Sequence, residues 1–364
     1  MSTTHAPPGA PSPGERDPLI SSPTNIAPRL PLTRRLYAFF CLWGFKIFVN
    51  NALRGLRLNN YLRSKDQPTL QTYYDVRPNL EVRVFFPPGH TPNSSSTKNT
   101  KLPTYLNIHG GGFALCDPIV DDSFCTAMSR THNFLVVSLS YSLAPIHPFP
   151  TPVHDIRALI TAILADPRLP IDHDRIALGG FSAGGNLALS AAQDPSIGSK
   201  IKAIIPVYPV VDFSGRYKGK HRTSADGRPD ALARSGEWFS WGYITPGQDL
   251  TDSLLSPVYA IRDMLPQRMF FVGAEFDVLC KEAWCMAKQL AGKEVKGGDD
   301  DEQPSREDWD WEENGVRWQM VLDQRHGFTH APERDAAKEK ERLEITARLW
   351  GEMAAWLRGA LEAS

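Results

Sequence analysis

The sequence predicts an α/β fold with a mostly parallel central sheet flanked by helices, and three observations carry this. Short apolar runs alternate with helical stretches over most of the chain, the order of βαβ units. Two of the runs, Phe134 to Ser140 (FLVVSLS) and Ile201 to Val207 (IKAIIPV), are apolar almost without interruption. Strands covered on both faces read this way, whereas half-exposed strands alternate. Third, the strand-like Arg175 to Gly179 runs through Gly180-Phe181-Ser182-Ala183-Gly184 into a helical stretch, Gly185 to Ala192, closed by Asp194-Pro195. A G-x-S-x-G pentapeptide between strand and helix is the setting of a nucleophile elbow. There a serine sits on a strained turn, and glycines flank it because a Cβ would clash.

The elements follow in order. Residues 1–28 are rich in Pro, Ser and Gly and read as a disordered tail without a secretory signal pattern at Met1, which favours a cytoplasmic protein. Leu36 to Val49 (LYAFFCLWGFKIFV) is an apolar helix, too short to span a bilayer, interrupted by Lys46 and flanked by Arg34, Arg35, Arg54, Arg57 and Arg63. Its first reading is a cap helix packed on the body. The competing one is an interfacial helix giving peripheral contact with an intracellular membrane. Strands are expected at Glu81 to Phe86, Thr104 to Ile108, Phe134 to Ser140, Arg175 to Gly179, Ile201 to Val207, Arg268 to Gly273 and Val316 to Leu322. Helices are expected at Asp155 to Leu164, Gly185 to Ala192, Asp277 to Leu290 and Ala336 to Leu357. Asp212 to Tyr259, with Trp238, Phe239, Trp241 and Tyr243, breaks the alternation and is too long for a structureless loop, so it reads as a lid or cap. The acidic, Gly-containing stretch Gly292 to Gly315 reads as a solvated, partly disordered loop. Residues 29–364 thus form one domain, with cap segments at about 29–65 and 211–260 and a loop insertion at 292–315.

Composition narrows the partners. The chain of 364 residues is 41% hydrophobic and 22% charged with a formal net charge of -1, so the totals suggest neither nucleic acid nor an anionic membrane as a partner. Its 5 cysteines are odd in number and show no C-x-x-C spacing, so neither a disulfide framework nor a zinc site is expected. No metal and no other cofactor is expected, and the oligomeric state is not specified. Asn93-Ser94-Ser95 is formally a glycosylation sequon, read here as an exposed loop.

If Ser182 is a nucleophile, acyl transfer needs a base, an acid to hold it, and donors for the oxyanion. Of the 10 histidines, His326 follows the last strand at the C-terminal edge of the sheet, where α/β proteins place their sites. His330 is a nearby rival. Asp277 lies in the loop after the strand Arg268 to Gly273, with Glu275 and Asp323 as rivals and a helix N-cap as its plain structural role. His109-Gly110-Gly111-Gly112 offers backbone N–H groups unobstructed by side chains. It is not a P-loop, because no Lys-Ser/Thr follows. Phe113 is a candidate substrate-pocket wall or an ordinary core residue.

Together these residues, with Tyr141-Ser142-Leu143-Ala144-Pro145, Pro148-Phe149-Pro150, Ser182-Ala183-Gly184-Gly185-Asn186 and His326-Gly327-Phe328, resemble the hormone-sensitive-lipase-like family of α/β-hydrolases. The resemblance covers roughly Thr104 to Phe328. It implies an α/β-hydrolase fold with a helical cap, Ser182, Asp277 and His326 as the triad, and Gly111, Gly112 and Ala183 as oxyanion donors. The chain departs from the family in having Phe181 where Asp is usual, Ile146 where Glu is frequent and Val278 where Pro is typical. The expected activity is hydrolysis of small hydrophobic carboxylic esters through an acyl-enzyme. Alternatives are an amide or formamide hydrolase with the same triad, a membrane-associated lipid hydrolase, and a non-catalytic small-molecule receptor.

Overall fold

The computed structural model describes residues 25–63, 66–92, 100–216, 232–295 and 304–362. The sequon at Asn93, most of the expected tail and the middle of the acidic stretch lie outside these residues.

The sheet has nine strands: β1 (Leu70–Tyr74), β2 (Arg77–Phe85), β3 (Leu102–Ile108), β4 (Leu135–Leu139), β5 (Ile171–Phe181), β6 (Ala203–Val207), β7 (Arg268–Ala274), β8 (Asp310–Glu313) and β9 (Val316–Val321). Their order across the sheet is β1-β2-β4-β3-β5-β6-β7-β9-β8. The central strands β4, β3, β5, β6, β7 and β9 are parallel, and antiparallel strands close both edges. The helices are α1 (Leu32–Arg63), α2 (Asp122–Thr126), α3 (Thr151–Leu164), α4 (Ala183–Ala192), α5 (Pro195–Gly198), α6 (Leu232–Tyr243), α7 (Cys280–Leu290) and α8 (Ala336–Glu362).

Alternation along the strands explains why the buried runs are apolar throughout. Leu106, Leu178, Ile204 and Phe271 enter one buried cluster with Leu159 of α3, Leu187 of α4 and Trp284 of α7. Their neighbours Tyr105, Ala177, Ile205 and Phe270 enter a second cluster with Phe124 of α2 and with Leu349 and Met353 of α8. With successive side chains on opposite faces, a sheet covered twice is apolar at nearly every position, and a polar exception such as Asn107 is hydrogen-bonded.

Several expectations need correction. Helix α1 runs from Leu32 to Arg63, past Gly44 and Gly55, and its segment Leu32–Asn59 is long and apolar enough to cross a membrane by length and composition. The argument that it is too short therefore fails. Helix α3 begins four residues before Asp155, because Pro152 is tolerated in a first turn. Helix α7 begins after Asp277, whose carboxylate is otherwise engaged. The acidic stretch is not a loop throughout. Trp311 pairs with Trp318 and Asp310 with Gln319, so β8 adds an edge strand that a charge count cannot reveal.

Beside the sheet edge, Arg83 of β2 reaches Asp122 of α2 through Nε and Nη2, at 2.8 and 2.6 Å, and both side chains are buried. Burial pushes the Asp122 carboxyl up to about 6 even against the opposing pull of Arg83. Replacing Arg83 by Met leaves that carboxylate without its partner and should cost about 3–5 kcal/mol in chemical denaturation. Adding Asp122→Leu to Arg83→Met should recover much of the loss; a double variant no more stable than the single one would contradict this account.

Candidate active site

Strand β5 delivers Phe181 to the edge of the sheet, and Ser182 turns the chain into α4 with φ 54° and ψ -116°. A non-glycine residue in this region is strained and persists only where the surroundings fix it. The surroundings do so here. The Ser182 N–H donates to the Val207 carbonyl at 2.9 Å, and the Asn186 N–H donates to the Ser182 carbonyl. A Cβ at Gly184 would lie 2.0 Å from the Ile108 oxygen, so the turn can nest against the end of β3 only with glycine there.

His326 and Asp277 meet this serine from separate loops. His326 Nε2 lies 2.9 Å from Ser182 Oγ, and Nδ1 lies 2.7 Å from Asp277 Oδ2. The Asp277 side chain is wholly buried. Its other oxygen, Oδ1, accepts the Leu279 N–H at 2.9 Å. Both carboxylate oxygens are therefore committed. An acceptor at Nδ1 fixes the proton on that nitrogen and leaves Nε2 free to accept the Ser182 O–H. The arrangement can move a proton from the hydroxyl to the imidazole while the carboxylate balances the new charge.

The rivals are engaged elsewhere. Glu275 takes a bidentate pair from Arg306 at 2.6 and 2.7 Å and accepts the Asp323 N–H. Asp323 also pairs with Arg306. His330 contacts Asp121 Oδ1 through Nε2 at 2.8 Å, and Thr329 and Tyr208 through Nδ1. Asn107 donates to the second Asp121 oxygen.

Tyr208, which sequence reasoning did not single out, packs its ring edge-on to His326 at 5.0 Å between centroids. It links that imidazole to half-buried His330 and, through it, to buried Asp121. Its only signal was its place just after β6, at the same sheet edge as Ser182.

The glycine loop lies beside Ser182. Gly111 and Gly112 have φ of 115° and 59°, and a Cβ at Gly111 would meet the Leu115 oxygen at 2.3 Å. Among the described residues, the N–H groups of Gly111 and Gly112 enter none of the fold's own hydrogen bonds. His109 supports the loop from below. It is fully buried, stacks on Tyr141 at 4.3 Å, and is held neutral as burial lowers its pKa.

Phe113 is buried face-to-face against Tyr243 at 3.8 Å, so it packs against the end of α6. The residue directly over the loop is Phe239 of α6: a Cβ on Gly112 would lie 2.6 Å from its ring. The cluster of aromatics in 211–260 was visible in the sequence, but not which of them faces the glycines. Phe181, in place of an acidic residue, packs against Phe124, Tyr208 and His330, which accounts for an apolar side chain there. An apolar cavity of about 410 Å³ lies under the cap between Pro145, Pro148, Phe213, Trp241, Ile244 and Leu250; Ser182, His326 and the glycine loop do not line it. Among the described residues no group of acidic, His and Cys side chains could hold a metal.

A family model described as the alpha/beta hydrolase fold matches residues 105–298. The chain is 32% identical over 219 residues to an arylesterase of Saccharolobus solfataricus, covering 58% of this chain and 66% of that one. It is 30% identical to mouse neutral cholesterol ester hydrolase 1 over 187 residues, covering 45% of this chain and 44% of the relative. The chain thus spans less than two thirds of either relative. Among solved structures, a thermophilic carboxylesterase cloned from a metagenomic library superposes with a TM-score of 0.64 at 25% identity, covering 88% of this chain and 97% of that one. With more than half of its length matched by the family model and the sheet order above, the chain belongs to the α/β-hydrolase fold family.

Proposed function

We propose that this protein is a serine hydrolase of hydrophobic carboxylic esters, working through an acyl-enzyme on Ser182. The observation that carries the reading is the continuous hydrogen-bonded chain from Ser182 Oγ through His326 to buried Asp277, at 2.9 and 2.7 Å. Ser182 Oγ attacks the acyl carbon as His326 Nε2 takes its proton. The carbonyl oxygen gathers negative charge, received by the N–H groups of Gly111, Gly112 and Ala183. When the tetrahedral adduct collapses, the carbon–oxygen bond to the alcohol breaks and the imidazolium returns its proton to the leaving group. Water then repeats the sequence on the acyl-serine and frees the acid. Two relatives and a structural neighbour carry names of ester-cleaving enzymes, which supports ester rather than amide substrates.

The aromatic cover of the loop supports a hydrophobic substrate. Phe239, pressed on Gly112, stands where the acyl or alcohol group must pass, and apolar walls are where such groups lose their water. Gly111, Gly112 and Ala183 form the oxyanion site in this reading, while Phe113 acts one layer out by packing the cap.

A panel of p-nitrophenyl esters of increasing chain length tests the reading. Wild type should hydrolyse them, and Ser182→Ala should lose at least about a thousandfold in kcat. Absence of wild-type hydrolysis, or full rates in the variant, would sink it.

The choice of acid is tested separately. Asp277→Asn should lower kcat by about 10⁴-fold through the wrong imidazole tautomer, whereas Glu275→Gln should stay within about tenfold of wild type. A larger loss in the Glu275 variant would reverse the assignment.

On the same panel, Phe239→Ala should move the optimum toward longer or bulkier acyl groups, with kcat/KM ratios changing by about 10-fold or more. An unchanged chain-length profile would remove Phe239 from the substrate path.

A further inference from the structure

Helix α1 has two unlike sides. On the inner side Ala38, Leu42, Lys46 and Leu53 are buried, and the Lys46 ammonium donates to the carbonyls of Ala114 and Ala144 at 2.5 and 2.8 Å. On the outer side Phe40 is 69% exposed, Phe48 68%, Ile47 60% and Leu58 60%, with Leu36 and Tyr37 beside them. At about 100° per residue, Leu36, Phe40, Ile47 and Leu58 fall on one stripe opposite Leu42. Soluble proteins rarely leave so continuous an apolar face in water, and where they do it marks an interaction.

The charges say which kind. Helix α1 carries Arg34, Arg35, Lys46, Arg54, Arg57 and Arg63 and not one Asp or Glu. Lys46 is spent inward, and Arg57 is paired with Glu81 and Asp117. Arg54 is exposed on the apolar stripe itself and Arg29 at its N-terminal end, while Arg34 pairs with Glu237 at 3.6 Å. A second copy meeting the stripe about a two-fold axis would bring Arg54 toward its own counterpart, and α1 itself carries no carboxylate to separate them. Residues 1–24 contain only Met1, Leu19 and Ile20 as large apolar residues, too few to cover the stripe.

We propose that the outer face of α1 is a docking surface for an anionic lipid bilayer. The helix lies flat in the headgroup layer, its aromatics in the acyl boundary and its arginines on lipid phosphates and carboxylates. It does not span, because its inner side is committed to the body through Lys46 and Leu42. The surface is separate from the triad, and its test is independent of the esterase reading.

The full chain is sedimented with vesicles of phosphatidylcholine alone and of phosphatidylcholine with about 30 mol% phosphatidylserine at low and moderate salt. Wild type should partition onto the anionic vesicles, and more weakly as salt rises. The triple variant Phe40→Ser, Ile47→Ser, Phe48→Ser should bind at least about tenfold more weakly, and Arg54→Glu several-fold more weakly on anionic vesicles only. Circular dichroism of each variant should match wild type, and so should its kcat/KM on p-nitrophenyl acetate; if the triple variant misfolds, Phe40→Ser alone is read in its place. The proposal is overturned if wild type stays in the supernatant or if the folded variants bind as wild type does. It is overturned equally if wild type forms a concentration-dependent dimer that the same substitutions abolish, since the face would then pair copies of the chain.

Discussion

The close approach of the Ser182 turn to the end of β3 is the constraint on which the site depends. Glycine at position 184 lets the backbone come against the Ile108 carbonyl, and Gly180 meets the same oxygen from the other side, where a Cβ would be 2.4 Å away. That contact holds Ser182 at φ 54° and brings its side chain beside the glycine loop, which leaves β3 at the very next residue. Parallel pairing of β3 with β5 thus does more than bury apolar area. It sets the register between hydroxyl and backbone donors, two groups 70 residues apart in sequence that must converge on one small volume. The histidine and the acid arrive from the far side, on the loops after β9 and β7, and complete the convergence at a single sheet edge.

Much of this was legible in the sequence for definite physical reasons. Backbone demands leave glycines, buried strands leave apolar runs, and a parallel sheet orders its loops, so Ser182, Asp277, His326 and the glycine loop stood out as candidates, and the structure brings the three side chains into one hydrogen-bonded chain. The rivals Glu275, Asp323 and His330 could be separated from the triad only in space. Glu275 and Asp277 differ by two positions, yet one faces Arg306 at the surface and the other the buried imidazole. The β8 strand was hidden because an edge strand tolerates charge at every position. The extent of α1 was hidden because beyond Val49 the exposed positions include Asn50, Asn51, Arg54, Gly55 and Arg57, where solvent demands no apolar side chain to mark the helix.

The cap was the least legible part. Aromatic residues in 211–260 announce burial but not orientation, and an aromatic stack such as Phe113 on Tyr243 joins residues 130 positions apart without any sequence pattern. The same stack shows why α6 and the glycine loop cannot be treated as separate modules. Phe113 belongs to the loop and Tyr243 to α6, while Phe239 on that same helix covers Gly112.

Lys46 extends that union to the start of the fold. In sequence it looks like a flaw in an apolar helix; in space its ammonium closes two carbonyls, Ala114 and Ala144, that flank the glycine loop. Lys46→Met keeps the helix in place and leaves both acceptors buried without that donor, at a cost of about 1–3 kcal/mol for each acceptor left unpaired. Through that one ammonium the first helix acts as a clamp on the glycine loop, joining the start of the chain to the segments on either side of it.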